Sequence, residues 1–240
     1  MDDINFQLLE TILYEPQFGF YLLNLHLNRL TQSASYFSKQ FNDKSSFANC
    51  TTSEFQEFIK EQLQESVSQI GYDKTQRVRL TVNKQGIPTI TTTILPSSNS
   101  PLQEPLKITL DTQQTQSSDI FLYHKTTHRN IYNDARIRVG IESNKDLFDV
   151  LLYNERNEIT ECSIANIAVE YYDDEKNIKY WKTPKIECGL LGGVMRSHLI
   201  ENEEIIPGVI TLSEIKLAQQ QGRKIKCFNS VRKKYDVILI

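Results

Sequence analysis

Lys125 stands in FLYHKTTHRN, residues 121–130, between His124 and His128 and just after an apolar, aromatic run. A lysine that only meets solvent needs no such setting. At the end of an apolar strand its charged form is disfavoured, which depresses the pKa and frees the amine as a nucleophile. Such an amine condenses with carbonyl compounds.

If the carbonyl is the aldehyde of pyridoxal 5'-phosphate, the chain must also supply a carboxylate for the pyridine nitrogen, donors for the phosphate and apolar walls for the ring. Glu161, in NEITECSIAN, is the candidate carboxylate, although a lone glutamate after a hairpin turn is ordinarily just solvated. In GLLGGVMR, Gly192 and Gly193 let the backbone approach an anion ahead of a helix expected from Val194. A helix N-terminus offers unpaired N–H groups and a positive dipole end. Arg29 can add a bidentate contact. Taken singly, the glycine pair is also read as a tight turn and the arginine as a surface residue.

The elements that must position these groups follow from periodicity and turn signals. FQLLETILY and GFYLL read as strands joined by EPQF. HLNRLTQSASYFSKQF reads as a helix with Leu27, Leu30, Ala34 and Phe37 on one face and Arg29 near its start. SEFQEFIKEQLQESVSQI is a second helix opened by Ser53, RVRLTVNKQGIPTITTTIL a hairpin, and PLKITLD a further strand. TQQTQSS, polar and aperiodic, is the best linker candidate. Beyond it DIFLYHK reads as a strand and TTHRNIYNDARIR as a helix. DLFDVLLYNERNEITECSIANIAVEYY reads as a strand, a hairpin turn and more strand. GGVMRSHLIE and LSEIKLAQQQG read as helices, and KCFNSVRKKYDVILI as closing strands. This predicts an α/β fold of the α+β type, with domains at 1–111 and 119–240 and a linker at 112–118.

Composition narrows the class. With 39% hydrophobic and 24% charged residues, the 240-residue chain suits a globular protein, and a net charge of −3 without a basic block gives no case for nucleic acid. No apolar run approaches the ~20 residues of a membrane span, and the acidic MDDINFQLLE lacks a signal peptide's basic start. Four dispersed cysteines and four dispersed histidines argue for reduced thiols in the cytoplasm and against a metal site.

HKTTHRNIYNDAR, LLYNERNEITECSIANIAV, TPKIECGLLGGVMR and CFNSVRKKYDVIL, in this order and preceded by FQLLETILYEPQFGFYLLNLHLNRLTQSASYF, resemble the class IV aminotransferase family. These are the fold-type IV pyridoxal-phosphate enzymes, with a D-amino acid aminotransferase-like fold. Within the family the likeness is to the aminodeoxychorismate lyases, especially the lyase domain fused to aminodeoxychorismate synthase component I. The resemblance implies that Lys125 carries the cofactor and shuttles protons, and that Glu161 serves the pyridine nitrogen. It assigns the phosphate to Arg29, the backbone at Val194 and Met195, and the Ser230 hydroxyl. Leu191 would pack on the ring, with Asn166 in support.

The implied reaction converts 4-amino-4-deoxychorismate to 4-aminobenzoate and pyruvate in folate biosynthesis. The alternatives are a transaminase of branched-chain or D-amino acids and a non-catalytic relative. The likeness also implies a homodimer, with its site near a domain and subunit boundary, and functional coupling to the synthase. Two departures bear on substrate choice and turn geometry. ETILY has Leu13 where relatives often carry the arginine of ETMR, leaving Arg79 or Arg129 as substitutes for a substrate carboxylate. LLGGVMR has Gly192 where LPGVMR has proline.

Overall fold

A computed structural model describes residues 4–41, 45–96 and 104–240. The chain forms two compact units, Met1–Asn99 with His124–His128, and Ser100–Tyr123 with Arg129–Ile240.

The first unit is a four-stranded sheet in the order β2-β1-β3-β4, built from β1 (Leu8–Glu15), β2 (Gly19–Phe20), β3 (Gln76–Val82) and β4 (Pro88–Ile94). Helices α1 (Leu23–Gln40) and α2 (Ser53–Ile70) follow β2, and α2 buries Phe55, Ile59, Leu63 and Val67 at helical spacing. Thr52, rather than Ser53, is its N-cap, accepting a bond from Phe55 N. GFYLL makes only two residues of strand, because Leu22 turns left-handed and α1 starts at Leu23. Arg29 therefore lies in the second turn of α1.

The second unit is an eight-stranded sheet in the order β10-β9-β8-β11-β12-β5-β6-β7. Its strands are β5 (Leu106–Leu110), β6 (Asp149–Tyr153), β7 (Ile159–Cys162), β8 (Asn166–Asp173), β9 (Ile178–Pro184), β10 (Ile206–Gly208), β11 (Ile225–Asn229) and β12 (Lys233–Leu239). Helices α3 (Asn130–Arg138), α4 (Val194–Glu201) and α5 (Leu212–Gln220) complete it. The helices at 130–138, 194–201 and 212–220 match the sequence reading; β9 and β10 were not legible in it.

The division expected at 112–118 falls elsewhere. Strand β5 belongs to the second unit, pairing in parallel with both β12 and β6. TQQTQSS does not link domains either. Thr115 N donates to Tyr153 O, and Ser117 donates from its amide and hydroxyl to Glu155, so this polar stretch is bonded along the end of β6. DIFLYHK is not a strand. Asp119 accepts from Phe121 N and caps a short 3₁₀ turn at Ile120–Leu122, after which the chain returns to the first unit for five residues. Local capping has won over apolar strand propensity.

Candidate active site

The residues singled out in the sequence are divided between the units. Arg29, Arg79 and Lys125 lie in the first; Arg129, Glu161, Leu191, Val194, Met195 and Ser230 lie in the second.

In the first unit the lysine segment is stitched to β1. Leu9 N donates to Lys125 O at 2.9 Å, Thr127 N donates to Gln7 O at 2.9 Å, and Leu8 bridges Thr126. Since β3 occupies the other edge of β1, these five residues extend the edge that β2 uses at Tyr14–Glu15. Lys125 is half-buried. His124 anchors the segment to α1, with its Nδ1 3.0 Å from Ser33 Oγ and its ring against Tyr36 and Phe37. Burial pushes the His124 pKa down to about 4, so the ring is neutral at neutral pH.

Beside that segment is a cluster that sequence reasoning missed. Glu10, on β1, is 2% exposed and faces α1. Arg29 donates to it through Nε (2.9 Å to Oε1) and Nη2 (2.5 Å to Oε2), and His26 Nδ1 donates to Oε2 at 2.6 Å. Burial raises the Glu10 pKa, but Arg29 and His26 outweigh it and hold the carboxyl at about 2. The available signal was a glutamate inside the apolar run LLETILY together with HLNR, which puts His26 and Arg29 on one helix face. Leu13 pairs across the sheet with Arg77, and Thr11 with Arg79. Both arginines are exposed and share a sheet face with Leu13, opposite the face that carries Glu10.

In the second unit Glu161, on β7, is 4% exposed and held by three donors. Tyr132 OH (2.7 Å) and Leu191 N (2.9 Å) donate to Oε1, and Asn166 Nδ2 (3.2 Å) donates to Oε2. Burial, followed by the neighbouring Glu161 charge, pushes the Tyr132 pKa well up, so the phenol remains a donor. Arg129, a candidate substrate ligand, is a brace here. Its Nη2 donates to Ser163 O at 2.5 Å and its guanidinium lies 4.6 Å from the Tyr132 ring centroid. Buried Asp149 fixes the turn after Glu161 from the other side, accepting from Ser163 Oγ and Arg136 Nη1.

Asn166, expected to support the site, lies beside the buried Glu161 carboxylate. Its Nδ2 also donates to Leu191 O (2.9 Å), so one amide ties the carboxylate to the loop before α4. That loop ends at Gly193, the N-cap of α4, and no side chain caps the helix. The first-turn amides, including those of Val194 and Met195, have no acceptor within the helix, and the dipole there favours an anion. Strand β11 pairs Phe228 with Asn166, and Asn229 Nδ2 donates to Ile164 O, which places Ser230 at the same end of the sheet.

The two glycines are not equivalent. A Cβ on Gly193 would lie 1.9 Å from Asn166 Oδ1, whereas one on Gly192 would meet nothing nearer than 3.9 Å. Gly193→Ala should therefore cost about 2 kcal/mol or more by displacing Asn166, and Gly192→Ala should stay within about 0.5 kcal/mol. Denaturant unfolding of the two variants checks this; equal stabilities would contradict the packing.

Among the described residues no group of His, Cys, Asp and Glu could hold a metal ion, and no helix is long and apolar enough to cross a membrane. Residues 7–237 match the family described as "Amino-transferase class IV". The chain belongs to the class IV aminotransferase family. Members of this family are pyridoxal-phosphate enzymes. A Schizosaccharomyces pombe protein provisionally named aminodeoxychorismate lyase is 30% identical over 237 residues, covering 97% of this chain and 89% of that one. Among solved structures, a provisionally named amino-acid aminotransferase from Mesorhizobium loti superposes with a TM-score of 0.77 at 25% identity, covering 98% of this chain and 100% of that one. A hypothetical aminotransferase from Mycobacterium tuberculosis in its PLP-bound form has the same fold, with a TM-score of 0.66 at 16% identity over 97% of this chain and 81% of that one. The two mixed α/β units are thus those of a class IV, fold-type IV enzyme.

Proposed function

We propose that this class IV enzyme binds pyridoxal 5'-phosphate and converts 4-amino-4-deoxychorismate to 4-aminobenzoate and pyruvate. The observation that carries the reading is the 30% identity to the S. pombe protein across nearly both full chains, and the motifs that carry Lys125, Glu161, Arg29 and Ser230 in this sequence support it.

The residues fit the cofactor. Glu161 is a buried carboxylate whose orientation is set by three donors, and α4 begins without a side-chain cap. In this reading Arg29, the amides of Val194 and Met195 and the Ser230 hydroxyl hold the phosphate. Leu191, half-buried, supplies an apolar wall. Glu161 keeps a negative charge for the pyridine nitrogen. When bound, the cofactor supplies an electron sink for the carbon that bears the substrate amine. Lys125 Nζ removes the proton from that carbon as general base. Loss of the enolpyruvyl group as pyruvate leaves an aromatic ring, so the protein's task is mainly positioning.

The lyase reading is preferred to transamination because a transaminase must also clamp a second keto acid. Leu13 offers no charge for that clamp, Arg129 is engaged with Ser163 and Tyr132, and Arg79, with its neighbour Arg77, is left as the candidate for a substrate carboxylate. Family likeness supports a homodimer supplied by aminodeoxychorismate synthase, and the dispersed cysteines support a cytoplasmic setting. Purified protein given aminodeoxychorismate is expected to release fluorescent 4-aminobenzoate faster than it consumes D-alanine or leucine with 2-oxoglutarate. Keto-acid-dependent consumption without aromatic product would promote the transaminase reading.

A further inference from the structure

Glu10 lies between Leu8 and Ile12 on the helix-covered side of β1, where an unpaired carboxylate would be costly. It is paired with Arg29, whose Nε and Nη2 meet its two oxygens fork to fork. Such a contact fixes the plane of the guanidinium as well as its position. His26, one turn earlier on α1 and fully buried, donates its Nδ1–H to the same carboxylate and restricts the rotation of Glu10 in turn. Its Nε2 has no hydrogen-bond partner among the described residues, so Glu10 is its anchor. Burial, then the nearby Arg29 and Lys125 charges, push the His26 pKa down, and Glu10 alone pulls it up.

We propose that Glu10 is a positioning residue for Arg29, so that phosphate affinity depends on an oriented guanidinium rather than on net positive charge. The inference rests on the reading that Arg29 binds the cofactor phosphate. Two effects of removing the Glu10 charge oppose each other. If Arg29 acts as a bare cation, losing a neighbouring carboxylate strengthens its pull on an anion. If it acts as a fixed fork, the same loss frees its long side chain and weakens binding. The bidentate geometry, closed from behind by His26, favours the second effect.

Equilibrium dialysis of the cofactor-stripped full chain with pyridoxal 5'-phosphate and with phosphate-free pyridoxal separates the outcomes. Glu10→Gln is expected to weaken pyridoxal phosphate binding about tenfold, the loss of one charge-assisted contact, and to leave pyridoxal within about twofold. Tighter or unchanged pyridoxal phosphate binding overturns the proposal, as does an equal loss for both ligands, which is what a merely structural role predicts. Arg29→Gln, which removes the charge, is the companion variant. If it leaves pyridoxal phosphate affinity intact, the phosphate role of Arg29 itself fails; if it weakens binding while Glu10→Gln does not, only the Glu10 proposal fails. Should Glu10→Gln show no cooperative thermal transition, His26→Gln replaces it. About threefold selective weakening for the phosphorylated ligand is then expected, and no selectivity overturns the proposal.

Discussion

Lys125→Ala is expected to lower turnover by about four orders of magnitude or more, since the amine that carries the cofactor and the base that moves the proton are one atom. The loss should be chemical rather than structural. The segment is held by Leu9 N on Lys125 O, by the Thr126 bridge to Leu8 and by Thr127 on Gln7, none of which uses the Lys125 side chain. The His124 ring keeps its seat on Ser33, Tyr36 and Phe37 in the variant. A thermal transition close to the parent's is therefore predicted, with residual cofactor binding through the phosphate. Borohydride reduction of the parent enzyme followed by peptide mapping should find a pyridoxyl group on Lys125. Label on any other lysine would remove Lys125 from its role.

Glu161→Gln has the second largest expected effect, a fall in turnover of about a hundredfold or more with cofactor affinity changed less than tenfold. A glutamine oxygen can still accept from Tyr132 OH and Leu191 N, the two donors aimed at Oε1. Its amide then points at Asn166 Nδ2, donor against donor, where the carboxylate now accepts at 3.2 Å. Asn166 has little freedom to rotate away, because its Nδ2 also serves Leu191 O and its Oδ1 faces Gly193. What the variant loses outright is negative charge, and that charge keeps a pyridine nitrogen protonated and the ring electron-poor. Steady-state kinetics beside cofactor titration tests the separation. A variant with unchanged turnover would place the ring's charge partner elsewhere.

Much of this was legible along the chain. Residue type singled out Lys125, Glu161, Arg29 and the GLLGGVMR loop, the family resemblance added Ser230, and spacing and capping signals located the five α-helices among the described residues, because side-chain chemistry and amphipathic spacing are properties of short stretches. Partnership across distance was not legible. The sequence shows a glutamate in LLETILY and an arginine in HLNRL, and only the packing of α1 on β1 makes them one buried ion pair with His26. Arg129 looked available to a substrate until Tyr132 and Ser163 claimed it. Gly192 and Gly193 are neighbours of one type, and Asn166, from another strand, makes only the second indispensable. The unit boundary was misplaced for the same reason. Strand β5 reads like any strand, and its pairing with β12, more than a hundred residues later in the chain, decides which sheet it joins. Local sequence determines which conformation and which chemistry a segment favours; which segments meet is settled by burial and hydrogen-bond pairing summed over the whole fold.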